Sequence, residues 1–156
     1  MLIGIIDYGC GNIHSIINAF SIYTDKVEIV KNPDQIQIYD KIVLPGVGSF
    51  PRGMSMLYEN KMIDSLNYFK ELGRPILGIC LGMQLFFEKG FEFSETKGLG
   101  FLSGSVEKLY ASDNCKLPNI GWCKIYNDKD DIFLNNKILN GISSEDEFYF
   151  VQSIFL

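Results

Sequence analysis

The chain begins with a continuous apolar stretch, residues 2–6, that has no alternating polar positions. Such a stretch is typical of a strand covered on both faces, so it predicts a central parallel β-strand. Turn-forming residues follow at 7–12, and apolar side chains then recur at helical spacing. These side chains are Ile13, Ile16, Ile17 and Phe20. The pattern therefore predicts a strand, a tight turn and a helix.

The same alternation of strand and helix continues along the chain. Apolar stretches at 27–30, 41–44 and 75–79 predict further strands. A helix is predicted over 62–72, and Gly73 is placed to end it. Strands that alternate with helices in this way predict an α/β fold, a doubly wound and mostly parallel sheet flanked by helices.

Beyond Gly98 the pattern changes to short strands separated by glycines, at 105–109, 121–126 and 147–152. These stretches predict added, partly antiparallel structure. No repeat or linker divides the chain, so we expect one domain over residues 1–156. The chain ends on the apolar residues 154–156, although termini normally lie at the surface. We therefore expect a fold that lacks its last elements.

Composition and charge exclude several classes of function. The net charge is −5 and the basic residues are scattered, which gives no electrostatic surface for nucleic acid. The apolar start is too short for a signal peptide or a membrane segment, so we expect a cytoplasmic protein. The four cysteines lack zinc-site spacing and disulfide density. We expect free thiols and neither a metal nor a cofactor.

The strongest local motif is residues 78–82, where Cys80 stands between two glycines at the junction of a strand and a helix. This is the nucleophile-elbow pattern with sulfur in place of the serine oxygen. The sharp turn leaves no room for side chains at Gly78 and Gly82, and the helix dipole favours a thiolate at Cys80. The N–H of Leu81 would be the first donor of an oxyanion hole. The alternative is a buried cysteine that only fills space.

A second glycine-rich stretch, residues 45–50, follows an earlier predicted strand. Parallel strands end at the same edge of a sheet, so this stretch should lie beside Cys80. Its backbone amides could then approach a ligand closely. The alternative is an ordinary loop turn.

Four motifs in order, at residues 7–12, 45–50, 78–84 and 120–122, resemble those of the class I glutamine amidotransferases, in particular the HisH glutaminase subunits of imidazole glycerol phosphate synthase. The resemblance implies that Cys80 attacks the side-chain amide of glutamine and releases ammonia. It also implies that the backbone amides of Val47 and Leu81 form the oxyanion hole. The residues that it assigns to glutamine binding are Gly46, Gly48, Gln84 and Ser153.

The resemblance further implies a protein partner, a (β/α)₈ cyclase subunit that receives the ammonia. Asn12 and Trp122 would face this partner. Each has an alternative interpretation, since Asn12 could simply cap the first helix and a lone tryptophan in a small domain is usually part of the core.

The chain departs from the family pattern near its end. The family carries the histidine and glutamate of its catalytic triad there, whereas the single histidine of this chain is His14, in the first turn of the first helix. Gln152 and Ile154 also stand where the family usually has His and Tyr. We therefore expect the 156-residue chain to be inactive or severely impaired as a glutaminase.

Three alternatives stay open. A relative within the same class could supply ammonia to a different acceptor, such as a sugar. The chain could instead be a non-catalytic module that binds a partner. A flavodoxin-like or cysteine-sensor domain is the third alternative, but it leaves Gln84 without a role and the phosphate loop of a flavin site is absent.

Overall fold

The computed structural model describes residues 1–109, 117–125, 139–152 and 154–155. The chain divides into two compact units, residues 1–107 and residues 108–155. The single domain expected from the sequence stays a prediction. None of the helices in the described ranges is long and apolar enough to cross a membrane.

The elements alternate as the sequence predicts. The helices are α1 (Ile13–Ser21), α2 (Phe50–Glu59), α3 (Met62–Glu71) and α4 (Leu81–Gln84), with a 3₁₀ helix at Pro33–Ile38. The strands are β1 (Ile3–Ile6), β2 (Val27–Val30), β3 (Lys41–Leu44), β4 (Ile76–Gly78), β5 (Phe87–Gly90), β6 (Thr96–Lys97), β7 (Leu102–Lys108), β8 (Asn119–Lys124), β9 (Glu147–Gln152) and β10 (Ile154–Phe155).

The first four strands form a parallel sheet in the order β2-β1-β3-β4. All four residues of β1 are buried, as expected for a strand covered on both faces. On one face, Ile3, Ile5 and Val43 form a core cluster with Ile13 of α1. The predicted α/β fold with a mostly parallel sheet flanked by helices is confirmed.

The later strands are mixed in direction, as predicted, although β7, β8 and β9 are longer than the strands of the parallel sheet. In the first unit, β5 pairs antiparallel with β6 and parallel with β7. In the second unit, β8 and β9 form an antiparallel pair in which Trp122 lies opposite Tyr149. The rings of these two side chains meet edge to face, with centroids 5.5 Å apart.

One helix, α2, was not predicted from the sequence. It begins after Ser49, has a proline in its first turn and buries Phe50, Gly53 and Leu57. These three positions follow helical spacing, and proline is favoured at the start of a helix, so the pattern was present in the sequence. The closely spaced glycines of residues 45–50 instead favour a loop there, and this signal outweighs the start of the helix.

The helix predicted to follow Cys80 is a single turn. It ends at Gln84, and β5 begins at Phe87. Beyond Gln84 the backbone pairs with a later segment of the chain instead of continuing as a helix. Leu99 N donates to Leu85 O at 2.9 Å, and Phe101 N donates to Phe86 O at 2.7 Å.

Candidate active site

Cys80 stands at a strained corner between β4 and α4. Its backbone has φ 54° and ψ −119°. Residues other than glycine rarely adopt this conformation, which costs about 1–3 kcal/mol. The turn is closed by backbone hydrogen bonds, from Met83 N to Cys80 O at 3.0 Å and from Gly82 N to Ile79 O at 3.0 Å. The residue is exposed. The alternative of a buried, space-filling cysteine at position 80 is therefore wrong.

The two glycines around Cys80 are required by close packing. A Cβ atom added at Gly78 would lie 2.5 Å from Met83 Cα, and one added at Gly82 would overlap the carbonyl oxygen of Leu44. Neither obstacle is the flexible end of a side chain, so it could not move aside cheaply. The elbow thus excludes larger residues at both positions, for the reason that the sequence motif suggested.

The glycine-rich strip, residues 45–50, lies directly beside the elbow. In the parallel pairing of β3 and β4, Leu44 is opposite Gly78. Ile79 N donates to Leu44 O at 3.0 Å, so the two strand ends are joined where the motifs begin. A Cβ atom added at Gly46 would lie 2.7 Å from both Leu81 Cβ and Gly82 N. The strip and the cysteine therefore emerge at one edge of the sheet, as predicted.

The two N–H groups expected to stabilise an oxyanion belong to these neighbouring segments. Leu81 is the first residue of α4, where N–H groups have no intrahelical acceptor. Val47, in the middle of the strip, is 56% exposed. Among the residues that the structure describes, neither N–H donates to another protein group. Their roles stay predictions.

The cysteines differ in accessibility. Cys10 is only 7% exposed, and its pKa is raised chiefly by burial, with Arg52 acting in the opposite direction and Glu59 in the same one. Cys123 is half-buried, whereas Cys80 is exposed. All three are free thiols, as expected, and Cys115 lies outside the described residues.

Two side chains at this edge of the sheet were missed by the sequence analysis. The buried Tyr8 donates its hydroxyl to Pro45 O at 2.9 Å. Glu92 accepts a hydrogen bond from Phe50 N at 2.7 Å, at the start of α2. The signal that could have identified Tyr8 is its position in the first of the four motifs, where the resemblance assigns it no role. Nothing in the sequence pattern singled out Glu92.

The other predicted site residues are placed as follows. Gln84 is half-buried at the end of α4, and Gly48 is exposed with φ 104°. Ser153 lies outside the described residues. The structure therefore brings Cys80, Leu81 and Gly46 together, while the binding roles of Gly46, Gly48, Gln84 and Ser153 stay predictions.

Asn12 caps the first helix, as its alternative interpretation proposed. Its side-chain oxygen accepts a hydrogen bond from Ser15 N at 3.3 Å. His14, two residues later, lies in the first turn of α1, as predicted, and is exposed. A role for Asn12 in partner binding stays a prediction.

Trp122 is 66% exposed, so the alternative that it forms part of the core is wrong. Its neighbour across the strands, Tyr149, and the next cross-strand pair, Ile120 and Val151, are also more than half exposed. Side chains two residues apart share a face of a strand. These four apolar side chains thus lie on one face of the β8–β9 pair. The predicted contact of Trp122 with a partner is untested.

We expect Asn12→Ala to lower the free energy of unfolding by about 1 kcal/mol, because it removes the acceptor at the N-terminus of α1. Urea titration would measure the free energy of unfolding of this variant and of the control variant Asn18→Ala. Asn18 is an exposed residue inside the same helix, and alanine is the better helix former there. A loss of similar size at both positions would contradict the capping role.

Comparison with known proteins matches residues 4–136 to the family model described as glutamine amidotransferase class-I. Among curated proteins, the chain is 40% identical over 156 residues to imidazole glycerol phosphate synthase subunit HisH 1 of Campylobacter jejuni, covering 99% of this chain and 75% of that protein. It is 42% identical over 159 residues to subunit HisH of Pelagibacter ubique, covering 98% and 74%. The match to subunit HisH of Wolinella succinogenes is 37% over 155 residues, covering 97% and 73%.

A solved structure described as a glutamine amidotransferase has a similar fold. It superposes with a TM-score of 0.62 at 17% sequence identity, covering 80% of this chain and 63% of that one. This likeness supports the fold alone. The family model covers most of the chain, and the relatives match nearly all of it, so the chain belongs to the class I glutamine amidotransferase family.

Proposed function

We propose that this chain is the glutaminase subunit of a glutamine-dependent amidotransferase, and that Cys80 is its nucleophile. The observation that carries the proposal is the exposed thiol at a strained corner, beside a glycine-rich strip. A strained corner of this kind would present the sulfur outward, and the neighbouring strip would offer its backbone amides to a bound amide group.

In the proposed reaction, the Cys80 sulfur attacks the side-chain amide carbon of glutamine, and the N–H groups of Val47 and Leu81 stabilise the oxyanion. The carbon–nitrogen bond then breaks and ammonia leaves, with a γ-glutamyl thioester on Cys80. Water hydrolyses the thioester to glutamate and returns the thiol. Gly46, Gly48, Gln84 and Ser153 would hold the substrate.

Proton transfer is the step of this reaction for which the residues named above supply no general acid or base. The thiol must lose a proton and the departing nitrogen must gain one, a task that a histidine usually performs. The single imidazole of the sequence is His14, on the exposed first turn of α1. We therefore predict that covalent reaction at Cys80 is easier for this polypeptide than turnover.

The names of the relatives suggest where the ammonia goes. Each is described as a subunit of imidazole glycerol phosphate synthase, so the acceptor would be bound by a synthase subunit, which we take to be a (β/α)₈ cyclase in histidine biosynthesis. The exposed apolar face of the β8–β9 pair, with Trp122, supports a protein contact. Asn12 and a cytoplasmic location belong to the same proposal.

A chloromethyl ketone analogue of glutamine tests the nucleophile. We expect it to modify Cys80 at least about tenfold faster than Cys10, Cys115 or Cys123, because the analogue is held beside the reactive sulfur. Mass spectrometry of peptides from the treated protein would locate the label. Free glutamine should slow the reaction at Cys80, and Cys80→Ala should show no glutamine-sensitive labelling. Equal labelling of the cysteines, or no protection by glutamine, would refute the assignment.

A non-catalytic binding module is the second candidate function. It is favoured by one observation, the exposed apolar face that Trp122 and its neighbours form on the β8–β9 pair. In that case the chain would bind a synthase subunit, yet the analogue would give no glutamine-protected label at Cys80. If the chain instead supplies ammonia to a different acceptor, such as a sugar, the analogue would still give glutamine-protected labelling at Cys80, but the chain would bind a different synthase.

A further inference from the structure

Tyr8, in the first motif, has no role in the proposed reaction. It follows β1, is 1% exposed, and directs its hydroxyl toward the glycine-rich strip rather than toward solvent. A buried hydroxyl needs a hydrogen-bond partner, and here the partner is the carbonyl oxygen of Pro45, at 2.9 Å. The bond spans 37 positions of the chain and links the end of β1 to the strip.

The strip is held at its first two peptide groups. The carbonyl of Leu44 accepts a hydrogen bond from Ile79 N of the elbow, and the next carbonyl, that of Pro45, accepts one from Tyr8. Fixing two successive carbonyls fixes the orientation of the chain as it enters Gly46 and Val47. The N–H of Val47 comes directly after this held segment.

The hydroxyl of Tyr8 also forms part of the wall against which Gly46 packs. A Cβ atom added at Gly46 would lie 2.9 Å from Tyr8 Oη and 2.7 Å from Leu81 Cβ. Gly46 is thus enclosed between the tyrosine and the first residue of α4. Burial raises the pKa of the Tyr8 phenol above its usual range, with smaller contributions from Cys10 and Cys80, so the phenol keeps its proton and remains a donor.

We propose that Tyr8 is a positioning residue for oxyanion stabilisation, which sets the orientation of the Val47 N–H by holding the Pro45 carbonyl. This inference rests on the proposed glutaminase function. Tyr8 does not itself touch the substrate in this proposal. It acts through the strip, because preorganised donors stabilise developing charge without having to reorient during the reaction.

Tyr8→Phe tests the inference, because it removes one oxygen and keeps the buried ring. Two reagents should be compared at Cys80. The chloromethyl ketone analogue of glutamine places a carbonyl oxygen where the oxyanion would form, whereas alkylation by iodoacetamide develops no such charge. We expect the rate with the analogue to fall about tenfold and the rate with iodoacetamide to change less than about twofold. The fall is smaller than the loss of about 10²–10³-fold in kcat that removal of an oxyanion donor causes, because Tyr8→Phe misorients the Val47 N–H without removing it.

Tyr39→Phe is the matched control. Tyr39 is also buried, at 3% exposure, but its hydroxyl donates to Glu28 at 3.1 Å, near the opposite end of the sheet. It should leave the ratio of the two rates unchanged. Cys10 reports on folding in both variants, because it reacts with iodoacetamide only if its buried surroundings open.

The outcomes are distinct. An unchanged ratio in Tyr8→Phe would overturn the inference and leave the proposed function intact. An equal fall with both reagents, or labelling of Cys10, would show a general structural role and would also overturn it. Failure of the unmodified protein to show glutamine-protected labelling would instead refute the proposed function, and this inference with it.

Discussion

Gly82→Ala is expected to destabilise the chain by roughly 3 kcal/mol or more, the size of effect that marks a severe steric conflict. The added methyl group would overlap the carbonyl oxygen of Leu44 and press against the backbone of Pro45. Both obstacles belong to β3 and the strip, so relief requires the elbow to move away from the sheet. Chemical denaturation followed by circular dichroism would measure the loss, and iodoacetamide labelling would show whether Cys10 becomes accessible.

Gly100→Ala is the matched control for this change. Gly100 has φ 65°, and no atom lies within 4 Å of an added Cβ, so alanine there meets backbone strain alone. That strain costs about 1–2 kcal/mol. The difference between the two variants therefore isolates the steric conflict at the elbow. Equal losses at Gly82 and Gly100 would show that the close packing of the elbow against β3 is not important for stability.

Ammonia release from glutamine by the 156-residue chain is expected to be no faster than that of its Cys80→Ala variant. Removing one member of a cooperating catalytic triad typically lowers turnover by several powers of ten. The sequence offers only His14 as an imidazole, and that residue lies on the exposed first turn of α1. A glutamate dehydrogenase assay for the ammonia, with and without a cyclase subunit, would measure the rate.

The controls separate a missing base from a misplaced nucleophile. His14→Ala should leave the low rate unchanged, and the chain should still be labelled at Cys80 by the glutamine analogue. Rapid release of ammonia that depends on Cys80 would contradict the prediction of impaired turnover, while supporting the nucleophile. If that release were also lost in His14→Ala, the exposed histidine would have a catalytic role after all.

The order of strands and helices could be predicted from the sequence because it follows from local periodicity. The boundaries of β2 and β3 agree with the sequence prediction, and the boundaries of β1 and α3 nearly do. The glycines around Cys80 were predicted for the correct reason, because the geometry of a tight turn is also local. The end of α4 was not, since the chain that follows it pairs with the backbone of residues 99–102, which lie far along the sequence.

The sequence by itself determined the class of fold, the family and the identity of the candidate nucleophile, because strand periodicity and the spacing of an elbow are properties of neighbouring residues. Only the tertiary structure decided which groups hold the glycine-rich strip beside that nucleophile. Two hydrogen bonds join residues that are about forty positions apart in the chain: Tyr8 bonds to Pro45, and Phe50 bonds to Glu92. Such contacts depend on how strands pair and on which side chains become buried, and no local pattern encodes them.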